Sequence, residues 1–170
     1  SSDYKSCASS YKILKNQAEQ ACRSGGLDEK GMKDAIAQWE KQVALCKGKQ
    51  SSRCASSLQQ LGHYQYQLEE KLHLDKMAKY EEDAAWCADR DNEPAKCKSL
   101  GEFPKANHEK SLAYFLEYID KYPKADRAPV VMFQASFVLE ASGKEKEAYE
   151  LRMKLVKNFL LISWQISTSK

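Results

Sequence analysis

The sequence predicts an all-α protein built of antiparallel helix hairpins, and three observations carry that reading. Apolar residues recur at three- and four-residue steps through most of the 170 residues. No alternating apolar–polar stretch is long enough, or bounded by hairpin turns, to read as a strand. The four prolines, Pro94, Pro104, Pro123 and Pro129, all fall between helical stretches, where a fixed φ and a missing N–H do least harm. The connections are short, which makes successive helices antiparallel neighbours.

Residues 4–23 read as the first helix, ended by "SGGLD". Asp28 can cap the second, over 28–47, which carries Met32, Ile36, Trp39, Val43 and Cys46 on one face. "KGKQSS" then turns the chain, with Gly48 closing one helix and Ser51 or Ser52 opening the next. From 52 to 90 the helical period persists through Leu58, Leu61, Leu68, Leu72, Met77, Tyr80, Ala84 and Cys87. One helix of that length would span ~57 Å, so a break is expected within "YQLEEKLHLD", residues 66–75. "DRDNEPAKCKSLGEFPKAN" is the main irregular segment. Helices over 107–122, 127–141 and 144–159 complete an expected set of seven or eight.

Composition removes several functions. The net charge is +3, and the two signs are interleaved, so there is no footprint for nucleic acid. Apolar runs fall well short of the ~20 residues a membrane span needs. With neither a start methionine nor a leader, the chain reads as a mature or excised form. His63, His73 and His108 lack metal-ligand spacing, and no HExxH, GxSxG or phosphate-cradling glycine loop occurs. Glu81, Glu82, Asp83, Asp89, Asp91 and Glu93 read as a solvated acidic face, without the pattern of a calcium loop. The expectation is a protein that is not an enzyme and holds no cofactor.

Six cysteines, Cys7, Cys22, Cys46, Cys54, Cys87 and Cys97, form no CxxC. An even number across helix connections points to disulfides and an oxidising compartment. In an antiparallel pair, facing positions sum to twice the turn centre. That sets Cys87 against Cys97 and Cys46 against Cys54, although Cys46 also suits Cys7. Cys7 and Cys22 remain by elimination, but on one unbroken helix they would lie ~22 Å apart. The competing reading keeps some thiols reduced, for zinc or redox cycling.

"HEKSLAYFLEYIDKYPKA" and "EKEAYELRMKLVKNFLL" repeat at an offset of 37 residues, with Ser111 and Ala148 as equivalent small residues. Between them "APVVMFQASFVLEASGK" supplies Met132, Ala135, Ser136 and Leu139, then Gly143 at the turn. Phe115 and Pro123 follow Ser111 at the aromatic and terminating places; Arg152 and Leu160 depart from them in the next copy. Ala35 and Trp39, and Leu58, Leu61 and Gly62, are fainter echoes. The unit resembles a tetratricopeptide repeat, in particular the bacterial cell-envelope members of the outer-membrane assembly and Tol-Pal coordinator kind. The resemblance implies a right-handed superhelix of stacked hairpins. It divides the chain into divergent disulfide-bearing repeats over 1–106, clearer repeats over 107–160 and an extension over 161–170.

It also implies a non-catalytic scaffold of the periplasm that holds a partner protein or peptide, as part of a larger assembly. Val130, Phe133, Phe137, Glu140 and Ala141 would then line the concave surface. "VVMFQASFVL" is apolar nearly all round, however, as is a helix covered on both sides, which would make Phe133 and Phe137 core. Tyr114, Tyr118 and Tyr122, four apart, form a second candidate patch or a packing seam. The apolar end made by Leu160, Leu161, Ile162, Trp164 and Ile166 is expected to cover something.

Overall fold

The computed structural model describes residue 16 and residues 27–88 and 95–168, with residues 96 and 159–168 given by their backbone. Every regular element among the described residues is helical. Helix α1 spans Glu29–Ala44 and α2 spans Ser52–Ala88. A single turn, α3, spans Ala95–Lys98; α4 spans Glu109–Lys121, α5 Ala128–Ala141 and α6 Glu145–Thr168. The expected first helix, with Cys7 and Cys22, lies outside the described residues.

Local signals place the helix ends. Asp28 Oδ1 accepts the Gly31 N–H at 2.7 Å and caps α1. Ser51 Oγ accepts the Cys54 N–H at 3.2 Å and caps α2. Gly143, at φ 75°, ends α5: the Lys144 N–H reaches the Leu139 carbonyl and the Gly143 N–H reaches that of Glu140, both at 2.9 Å. That paired closure needs a left-handed residue, which only glycine supplies without strain.

The expected break in α2 is absent; it is one helix of 37 residues, ~55 Å long. No proline interrupts 66–75. Side-chain pairs four apart bind successive turns instead, Gln65 to Glu69 and Lys71 to Asp75, each at 3.0 Å. Its buried positions all lie between Cys54 and Leu68, so its second half runs on past the core. The last helix also exceeds its expected end at 159 and continues to Thr168.

Packing follows chain order: α1 on α2, α2 on α4, α4 on α5, α5 on α6. Trp39 from α1, Leu58 and Leu61 from α2, Phe115 and Tyr118 from α4, and Val131 and Ala135 from α5 form one continuous core. Each such side chain contributes roughly 1.5–3 kcal/mol by leaving water. Ser111 and Ala148, the small residues matched by the 37-residue offset, are both fully buried, and Gly62 lies directly under the Phe115 ring. Cys46–Cys54 and Cys87–Cys97 are disulfide-bonded, each with Cα atoms 5.7 Å apart. The first staples the α1–α2 turn and the second ties α3 back to the end of α2.

Candidate functional site

Helix α5 buries Ala128, Val131, Met132, Ala135, Val138 and Leu139 on one side. Its other side presents Val130, Phe133 and Phe137, which are 41%, 51% and 52% exposed. The all-round apolar character of this helix is therefore not that of a helix covered on both sides. Phe133 and Phe137 meet edge to face, ring centres 4.8 Å apart. Glu140 follows one turn on, and Ala141 is exposed beside it.

Arg152 of α6 joins that face to the neighbouring helix. Its guanidinium lies 5.2 Å from the centre of the Phe137 ring. Its Nε donates to Ser136 Oγ at 3.1 Å and its Nη2 pairs with Glu140. Tyr149 and Val156 stand one turn either side of Arg152 on α6, and both are exposed, as is Met153. With α5 and α6 antiparallel and in register at Ser136 and Arg152, Phe137 falls level with Tyr149 and Met153. Phe133 falls level with Met153 and Val156. Arg152 and Phe137 join the two exposed sides, and Tyr149 and Met153 lie on the outer side of α6 beside Glu150, Lys154 and Lys157.

The tyrosines of α4 are placed differently. Tyr118 is 1% exposed and packs against Tyr122 at 5.6 Å, so both belong to the core. Tyr114 is half-buried and donates to Glu40 Oε1 at 3.0 Å, beside Lys110. Burial first, and then the Glu40 hydrogen bond, pushes its hydroxyl up to about 12. These side chains join α4 to α1 and to the core, rather than forming one open patch with Phe133.

A buried polar cluster ties α2 to the start of α4. The Glu69 side chain is 9% exposed and His108 is 3% exposed. Glu69 Oε2 lies 3.3 Å from His108 Nδ1, and Glu70 Oε1 lies 2.7 Å from Nε2. Ser111 donates its backbone N–H to Glu69 Oε1 at 3.1 Å and its hydroxyl to Oε2 at 2.5 Å. Tyr66 stacks on the imidazole at 4.9 Å. Serine, histidine and carboxylate meet here, yet the serine proton goes to the carboxylate and Ser111 is fully buried, out of reach of a substrate. The cluster positions a helix. Nothing in the sequence marked it, since its contacts join residues 38 to 42 apart.

A cleft of ≈ 660 Å³ lies between the α1–α2 turn and the α4–α5 turn, among Ser51, Ser52, Lys121, Lys124, Asp126 and Arg127. Its wall mixes both charges and is open to solvent. Among the described residues, no three His, Cys, Asp or Glu side chains converge as metal ligands. His63 pairs with Gln67 at 2.9 Å. The four described cysteines are bonded to one another, so none of them offers a thiolate. No helix among the described residues is long and apolar enough to cross a membrane. No protein-family model, curated protein or solved structure matches the chain.

Proposed function

We propose that the chain is a non-catalytic helical scaffold that holds another protein chain on the exposed face of α5 and α6. The observation that carries this is the Phe133–Phe137 pair, half exposed on a helix whose opposite side is fully packed. Paired aromatics beside an arginine are the residue types that supply most binding energy when an interface closes over them. Five further points of exposed apolar character, Val130, Ala141, Tyr149, Met153 and Val156, extend the surface in two directions. The repeat-like register of Ser111 with Ala148 supports a tetratricopeptide-like hairpin arrangement, in which such faces serve as docking surfaces.

Two cysteine pairs at bonding distance support work in an oxidising compartment. The periplasm of a bacterial envelope is the setting that the repeat resemblance favours.

The test is site-specific photocrosslinking in the native cell. A benzophenone side chain is placed at Phe137, at Tyr149 and, as a control, at the exposed Leu74 on the far half of α2. The scaffold reading expects discrete protein adducts from Phe137 and Tyr149 in excess of those from Leu74. Equal adduct formation from all three positions would sink it.

A further inference from the structure

We infer that the Cys87–Cys97 disulfide is a reducible clip, and that it holds residues 99–107 as a strap along the distal half of α2. Contacts mark the course of the strap. Cys97 is bonded to Cys87. Phe103 meets the Tyr80 ring edge to face, with centres 5.4 Å apart. Lys105 and Asn107 share a cleft with His73 and Lys76. His108 is held by Glu69 and Glu70. The chain therefore runs back along α2, antiparallel to it, from its far end to its middle.

That course depends on the clip. From Cys87 to Glu70, α2 rises roughly 26 Å. From Cys97 to His108 the chain reaches about 36 Å when fully extended, so the disulfide keeps the strap drawn most of the way out. Without it the far anchor is Ala88, and the chain from there to His108 can reach about 65 Å. Packing beneath the strap is thin. The buried positions of α2 end at Leu68, α3 is a single turn, and Phe103 stays 49% exposed on Tyr80. His73 Nδ1 is buried in the cleft that Lys105 and Asn107 line, without a hydrogen-bond partner among the described residues. Lifting the strap lets water reach that nitrogen, which favours release.

Access selects this disulfide over the other. Cys46 and Cys54 are 6% and 4% exposed, inside the core. Cys87 and Cys97 are both partly exposed, beyond the core. The reductant is an external dithiol. Its thiolate attacks one of the two sulfurs, the S–S bond breaks, and the other cysteine leaves as a thiolate that takes up a proton. The second thiol of the reductant then attacks its own sulfur in the mixed disulfide and frees the first cysteine. Two electrons and two protons pass to the chain, and the reductant departs as a disulfide. The core keeps Cys46–Cys54, so reduction lifts the strap from His73 and Tyr80 without unfolding the rest.

Graded reduction of the intact, oxidised chain with dithiothreitol tests this, with free thiols alkylated and located by peptide mass. Among the four described cysteines, Cys87 and Cys97 should be labelled about tenfold faster than Cys46 and Cys54. Release has a separate readout, limited trypsin cleavage after the exposed Lys98 and Lys105. Cleavage there should speed up about tenfold once the clip is reduced, at unchanged helicity. The Cys87→Ser/Cys97→Ser chain should be cut at the faster rate with or without reductant. Labelling of Cys46 and Cys54 first, or together with the other pair, overturns the clip. Cleavage at Lys98 and Lys105 that is indifferent both to reduction and to the double substitution overturns the strap.

Discussion

Glu69, in the middle of α2, accepts both the backbone N–H and the hydroxyl of Ser111, 42 residues further along the chain. Ser111 is the third residue of α4, and its N–H is one of those that a helix leaves unpaired at its start. His108, at the cap position, supplies no side-chain hydrogen bond to that end. Asn107 Oδ1 accepts the Glu109 N–H at 3.1 Å, while the acceptor for the Ser111 N–H comes from another helix. Its negative charge also sits where the α4 dipole favours it. One carboxylate thus sets the register of α2 against α4.

Removing it should be costly. Glu69→Ala leaves the Ser111 N–H, the Gln65 amide and one side of His108 without their acceptor, the Ser111 hydroxyl keeping only the His108 carbonyl. Chemical denaturation should show a loss of about 2–4 kcal/mol, the usual range for breaking a buried polar network. Glu69→Gln keeps an acceptor for the N–H and should lose less. A loss below about 0.5 kcal/mol for the alanine variant, the scale of ordinary surface changes, would show that the cluster does not anchor α4.

Gly62 makes a second prediction at the same helix pair. A Cβ there would stand 2.7 Å from Phe115 Cε1, and Phe115 is 2% exposed, with no room to swing away. Helix propensity alone favours alanine over glycine by about 1 kcal/mol. Overpacking of a tight core costs about 1–3 kcal/mol, so Gly62→Ala should be destabilising on balance. A variant that melts higher than the parent would mean that α2 and α4 can part without penalty.

What the sequence made legible follows from the range over which each signal acts. Asp28, Ser51 and Gly143 act within one turn of themselves, and each stands where its local pattern placed it; Gly48 takes a left-handed φ in the following turn, but α1 already ends at Ala44 rather than at 47. The two described disulfides follow from short connections, because an antiparallel return fixes which residues face each other. Ser111 was legible as a small residue needed at a close crossing. Its glutamate was not, since Glu69 reads locally as one more charge on a helix. The continuity of α2 was misjudged on the grounds of length. A long helix needs no break when its distal half is solvated and braced by pairs such as Lys71–Asp75. The tyrosines at 114, 118 and 122 share a helix side, but burial separates Tyr118 and Tyr122 from the half-exposed Tyr114. Apolar periodicity does not say which flank of a helix its neighbours cover, so Phe133 and Phe137, on a helix apolar nearly all round, read more readily as core, whereas the structure exposes them.

The disulfides should differ in what their loss does. Their loops are short, separated by 8 and 10 residues, so the chain-entropy contribution is similar, about 2–3 kcal/mol each. Cys46 and Cys54 are also buried in the core, at 6% and 4% exposure. Replacing that pair by serine places two hydroxyls there as well. The Cys46→Ser/Cys54→Ser variant should therefore melt lower than Cys87→Ser/Cys97→Ser. Scanning calorimetry decides the order, and the reverse order would mean that the distal end of α2 is more tightly coupled to the core than its burial indicates.

Tyr114 sets the behaviour of the fold in alkali. Its hydroxyl ionises near 10.0 in an unfolded chain and near about 12 in the fold, held neutral by burial and by its hydrogen bond to Glu40. A raised value means that the folded state keeps its proton where the unfolded state has lost it. The stabilisation is fully present below pH 10.0 and disappears as pH rises toward about 12. Because the ring is only half-buried, the effect on stability is small, below about 1 kcal/mol once solvent screening is allowed for. The spectroscopic consequence is clearer. Tyrosinate absorbance, followed during an alkaline titration, should include a late-ionising component, to which Tyr66, Tyr118 and Tyr122 also contribute, and Tyr114→Phe should reduce it by one tyrosine. Glu40→Gln should bring that one tyrosine to lower pH by removing the negative charge. If the late component is undiminished in Tyr114→Phe, the α1–α4 contact through Glu40 is not holding the proton.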